Sequence, residues 1–95
     1  MTMKTAKKFV ISGRVQGVGF RFFAERVAHQ LGIRGYVKNC WDGNVEVYAI
    51  GDADSLLEFQ RHLAEGPRSA HVTSIEETDE PVSKGYSSFM IEGGW

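Results

Sequence analysis

The stretch Gly13-Arg14-Val15-Gln16-Gly17-Val18-Gly19-Phe20-Arg21 constrains this chain more than any other. It obliges a strand to hand over to a helix through glycine. Before it, Phe9-Val10-Ile11 is a short apolar run of strand-forming residues, and residues 8–14 read as a strand. After it, Phe20, Phe23, Ala24, Val27, Ala28 and Leu31 recur at helical spacing, with Glu25, Arg26, His29 and Gln30 on the opposite side. Gly32 is the expected helix stop. Three glycines in the seven residues 13–19 open backbone conformations closed to other residues, so successive N–H groups can turn toward one small ligand. The helix start adds its own unpaired N–H groups and the positive end of its dipole. Arg21 supplies a planar fork that matches two oxygens of an anion. The stretch therefore reads as an anion cradle.

Two further strand-like runs, 34–40 and 44–50, flank Asp42-Gly43, a strong hairpin signal. A two-residue loop would split the apolar set between the two faces of the sheet. A three-residue loop, Trp41 to Gly43 with Gly43 left-handed, puts Val37, Asn39, Val45 and Val47 on one face, and that register is the one expected. Asp52 is suited to cap a second helix whose stripe comprises Leu56, Leu57, Phe59, Leu63 and Ala64, ending at Gly66-Pro67. A strand over 72–78 and a short one over 86–91 complete the pattern.

The order βαββαβ with a short fifth strand predicts a single α/β (α+β) domain over residues 1–95. The expected architecture is a ferredoxin-like two-layer sandwich, an antiparallel sheet with both helices on one face. Residues 1–7 are expected to form a flexible tail, the basic cluster Lys4, Lys7 and Lys8 to be solvated at that N-terminal end, and Gly93-Gly94-Trp95 to be a loose C-terminal tail. In this topology the first and second strands run in the same direction. The end of the second strand therefore comes to the level of the glycine loop, bringing Asn39 beside Arg21. A carboxamide there can hold a water through both a donor and an acceptor.

Composition narrows the partners. Eleven Lys and Arg against twelve Asp and Glu leave a formal charge of -1, without the basic excess that nucleic-acid binding requires. The aromatics of Gly19-Phe20-Arg21-Phe22-Phe23 fall at helical spacing and not on an exposed strand, which argues against RNA stacking. Phe22 alone is expected near the site and partly exposed. Cys40 is the single cysteine, so no internal disulfide forms and a reducing, cytoplasmic compartment is expected, with no membrane association. Asp52 and Asp54 lack companion ligands, and His29, His62 and His71 are scattered, so neither a metal nor a cofactor is expected. Arg14, at the strand end before the loop, reads as a surface or salt-bridge residue. Cys40, with no histidine near it in sequence, reads as a strand residue and not a nucleophile.

Gly-Arg-Val-Gln-Gly-Val-Gly-Phe-Arg at 13–21, Gly-Tyr-Val-Lys-Asn at 35–39, Asp42-Gly43, Val45-Glu46-Val47 and Gly66-Pro67 before Ala70-His71-Val72 together resemble the acylphosphatases. The similarity runs from about residue 8 to about residue 91. It implies hydrolysis of the carboxyl-phosphate anhydride of an acyl phosphate to carboxylate and inorganic phosphate, with no metal and no covalent intermediate. The same resemblance implies that Arg21 binds the phosphate and that Asn39 orients the attacking water. The main-chain N–H groups of Val15, Gln16, Gly17, Val18, Gly19 and Phe20 would form the phosphate loop. The expected partners are a small acyl phosphate and inorganic phosphate, as product and inhibitor, acting on a monomer. A different class of function is also open: a phosphate- or carbamoyl-phosphate-binding module of a larger assembly.

Overall fold

Alternating apolar residues commit the strands to a sheet with one buried face, and the two amphipathic stripes commit the helices to covering it. The computed structural model describes residues 3–93. The elements are β1 (Thr5–Arg14), α1 (Phe20–Leu31), β2 (Arg34–Asn39), β3 (Val45–Gly51), α2 (Ala53–Glu65), β4 (His71–Glu80) and β5 (Phe89–Glu92). The strands are ordered β4-β1-β3-β2-β5. β1 is antiparallel to both β3 and β4, and β2 is antiparallel to β3. This is the expected ferredoxin-like sandwich.

Three expectations need correction. β1 begins at Thr5, and Ala6 is buried, so residues 5–7 of the expected tail belong to the sheet. Lys7 pairs there with Asp79 at 2.8 Å. The remainder of the tail is residues 1–4, of which 1 and 2 lie outside the described residues, as do Gly94 and Trp95 of the expected C-terminal tail. Second, β5 is parallel to β2, which makes the sheet mixed and not wholly antiparallel. β4 and β5 occupy opposite edges, so the chain must cross the sheet between them and re-enter in the other direction. Third, Leu57 is 51% exposed and Ala64 also faces solvent, so the buried stripe of α2 narrows to Leu56, Phe59 and Leu63.

The core lies between sheet and helices. Phe9, Ile11, Val37, Val45 and Val47 supply the sheet side. Phe20, Ala24 and Val27 of α1 meet Leu56, Phe59 and Leu63 of α2 above them. Phe59 sits edge-on to both Phe9 and Phe89, with ring centroids 6.4 and 5.7 Å away, favourable geometry for the ring quadrupoles. Asp52 caps α2 as expected, its Oδ1 accepting from Ser55 N at 2.9 Å. That bond favours the charged carboxylate and holds Asp52 below the usual aspartate range.

On the open face, Tyr36, Tyr48 and Tyr86 cluster with ring centroids 5.6–5.9 Å apart. They hold the crossover between β4 and β5. The Tyr48 hydroxyl donates to Pro81 O at 2.6 Å and accepts from Ser83 N at 2.8 Å. Arg34 reaches Tyr86 O at 2.9 Å.

Candidate active site

The site forms where β1 and β2 reach the end of their pairing with β3. Ile11 pairs with Val45 and Val45 with Asn39, so these residues form one row across three strands on the helix-covered face. The hairpin register sets this row. Cys40 N donates to Asn44 O at 2.9 Å and Gly43 N to Cys40 O at 3.1 Å, closing a three-residue loop with Gly43 at φ 94°, as the sequence predicts. Asn39 is thereby carried into the buried layer at 7% exposure, the one polar residue so buried among the described residues.

The loop from β1 to α1 approaches the same point. A register shift between Ser12 and Gly13 bends the end of β1. Gly17 and Gly19 then adopt φ of 73° and 78°. A Cβ added at either would meet nothing within 4 Å, so it is the backbone conformation, and not crowding, that calls for glycine. Gly19 is also the N-cap of α1, where no side chain caps the helix and the first turn carries no acid. The positive end of the helix is left uncompensated.

Arg21, in that first turn, is half-buried, and among the described residues no carboxylate pairs with it. Arg21, Asn39, Val15, Gly17, Gly19, Phe20 and Phe22 line one cavity of about 210 Å³. Phe22, 70% exposed, stands at its edge. An arginine, a carboxamide and a helix N-terminus opening on a small cavity suit an anion the size of a phosphoryl group.

Gln16 and Val18, expected in the loop, are not among the lining residues. Val18 packs against the core. The Gln16 carboxamide instead donates to Cys40 O at 2.8 Å and to Asn44 O at 2.9 Å, crossing to the hairpin. Nothing in the local sequence signals this bond, because its partners are 24 and 28 residues away. Arg14 is exposed, lies outside the cavity and makes no ion pair among the described residues, so only the surface half of its expected role is met.

No histidine lines the cavity. His29 Nε2 lies 3.0 Å from Phe89 O, His62 lies 3.4 Å from Glu58, and His71 is exposed. Cys40 follows β2 and begins the loop turn. Its thiol is pushed above the usual range, first by burial and then by the nearby Glu46 and Asp42 carboxylates. It is a poor nucleophile at neutral pH. A larger concavity of about 420 Å³ shares Asn39 but is otherwise lined by Lys38, Cys40, Trp41, Glu46, Glu92 and Gly93. With Lys38 engaged by Glu46 at 3.8 Å, its carboxylates make it less suited to an anion than the smaller cavity.

The acylphosphatase family profile matches residues 7–91. The chain belongs to the acylphosphatase family. An acylphosphatase of Solibacter usitatus is 48% identical over 86 residues, 90% of this chain and 88% of that protein. The crystal structure of the acylphosphatase of Bacillus subtilis superposes with a TM-score of 0.90 at 35% identity, covering 96% of this chain and 100% of that one. The fold also matches a segment of full-length HypF, solved in a phosphate- and nucleotide-bound form. There the TM-score is 0.86 at 27% identity over 98% of this chain and 12% of that one. Acylphosphatase membership thus agrees with the two sequence motifs, the strand order and the cavity.

Proposed function

We propose that this acylphosphatase hydrolyses acyl phosphates through Arg21, Asn39 and the main-chain N–H groups of Val15 through Phe20. The observation that carries this assignment is that Arg21, Asn39 and the glycine loop at the N-terminus of α1 line one small cavity together. Arg21 and the loop bind the phosphoryl oxygens, and Asn39 holds a water in line with phosphorus. The water oxygen bonds to phosphorus as the bond to the bridging carboxyl oxygen breaks, and that electron pair leaves with the carboxylate. The water's proton passes to a non-bridging oxygen of the substrate's own phosphate. A carboxylate is a good leaving group, so the work left to the protein is charge neutralisation and alignment. Neither needs a metal or a strong base.

The site is built within one chain, and a single cysteine suits a reducing compartment, which together support a monomer working in the cytoplasm. The likeness to a segment of HypF favours a second reading, a non-catalytic phosphate- or carbamoyl-phosphate-binding module of a larger assembly. It carries less weight than the higher identity to relatives of similar length that are named acylphosphatases.

The test is phosphate release from an aryl acyl phosphate, with and without a chelator, in wild type, Arg21→Ala and Asn39→Ala. Each substitution lowers turnover by at least about 100-fold, the scale of losing one preorganised transition-state contact. Inhibition by inorganic phosphate weakens in Arg21→Ala and is better retained in Asn39→Ala. An inactive wild type that still binds phosphate selects the second reading. Full activity in folded Asn39→Ala removes the water-holding role, and a rate that follows titration of a protein side chain near neutral pH removes the substrate-assisted proton transfer.

A further inference from the structure

We infer that Gln16 is a positioning residue for hydrolysis, tying the phosphate loop to the hairpin so that Asn39 stands at a fixed place relative to the bound phosphoryl group. This rests on the assignment of Asn39 to the attacking water. The two halves of the site come from different parts of the sheet. The loop leaves β1, Asn39 ends β2, and β3 lies between them in the row Ile11, Val45, Asn39. Two strand spacings, about 9.5 Å, therefore separate the strands that carry the two halves. Beyond the last paired row, sheet hydrogen bonds no longer fix one strand end against the other.

Gln16 spans that gap. Its Nε2 donates to Cys40 O at 2.8 Å and to Asn44 O at 2.9 Å. Both acceptors are carbonyl oxygens, so only the NH₂ side of the amide can face them and the orientation is settled by chemistry. Cys40 is the residue after Asn39, and Cys40 and Asn44 form the last backbone pair before the hairpin loop. Gln16 thus grips the hairpin one position beyond the residue whose side chain enters the cavity. The loop residues on either side of it, Val15 and Gly17, line that cavity. A shift of about 1 Å between water and phosphorus is enough to lower a rate by about 100-fold, and this contact prevents such a shift.

The experiment compares Gln16→Met, which keeps the length and apolar stem but has no donor, with wild type, Asn39→Ala and the double variant. Single turnovers at high enzyme concentration keep the slow variants measurable. Gln16→Met is expected to lower kcat by about 10- to 100-fold while phosphate inhibition changes by less than about threefold, since Arg21 and the loop N–H groups remain. In the Asn39→Ala background it is expected to cost nothing further, because it acts through Asn39. Gln16→Ala repeats the comparison if the thioether disturbs packing. A kcat within twofold of wild type in the folded Gln16 variants overturns the inference, and so does a loss that multiplies with that of Asn39→Ala. Full activity in Asn39→Ala with Gln16 intact instead overturns the water-holding assignment itself and is told apart on that variant alone.

Discussion

Gly19 does two things at one position: it ends the loop from β1 and caps α1, at φ 78° and ψ 18°. A side chain there would have open space around it, so a substitution tests backbone conformation alone. Gly19→Ala is expected to destabilise the fold by about 1–2 kcal/mol, the cost of holding an L-residue in the left-handed region. It should weaken phosphate inhibition at the same time, if the loop N–H groups bind phosphate as proposed. Urea denaturation and inhibition measured on the same preparation check both effects, and a stable variant with unchanged inhibition contradicts the account. Arg21 and Asn39 stand out in the sequence as candidates because each ends a motif whose local geometry is written in glycines or in alternation, and the structure lines one cavity with both. Gln16 was legible only as a loop member. Its carboxamide serves carbonyls across the sheet, and no local pattern encodes a side chain's distant partner.

Among the elements, those with a regular apolar period were the readable ones. α1 ends at Gly32 as expected, and the β2–β3 hairpin takes its expected register because a slip of one residue would turn Val37, Val45 and Val47 out of the core. The start of β1 and the end of β4 were not readable. Lys7, Asp79 and Glu80 carry no apolar signal, and they join the sheet through pairings such as Ala6 with Glu80 and Lys7 with Asp79, more than 70 residues apart. The direction of β5 was equally hidden, since it depends on the crossover that Tyr48 holds at Pro81 and Ser83. Tyr48→Phe removes both hydrogen bonds from a buried ring whose partners can turn to water, and is expected to cost about 1–2 kcal/mol. Denaturation midpoints should fall while turnover stays at the wild-type value, because none of Tyr48, Pro81 and Ser83 lines the cavity of Arg21 and Asn39. A loss of turnover would mean that the crossover and the site are mechanically joined.

For the whole molecule, the proposed role of Arg21 and of the bare N-terminus of α1 requires the folded state to bind phosphate better than the unfolded chain does. Inorganic phosphate at about 100 times its dissociation constant should raise stability by about 2.7 kcal/mol. Phosphate also stabilises folded proteins by exclusion from their surface. Comparison with Arg21→Ala at matched ionic strength separates that general effect, which persists, from the site-specific one, which is lost.

The row Ile11, Val45, Asn39 joins the two halves of the site through a strand that carries neither half. In a folding chain, β1 has no neighbour to pair with before β3, and its second neighbour, β4, comes later still. If β2 settled on β3 one residue out of step, sheet hydrogen bonding would return while Asn39 faced away from the loop. Recovery of secondary structure and recovery of turnover are therefore separate clocks in a refolding experiment, and only turnover reports that the strands have found their native alignment.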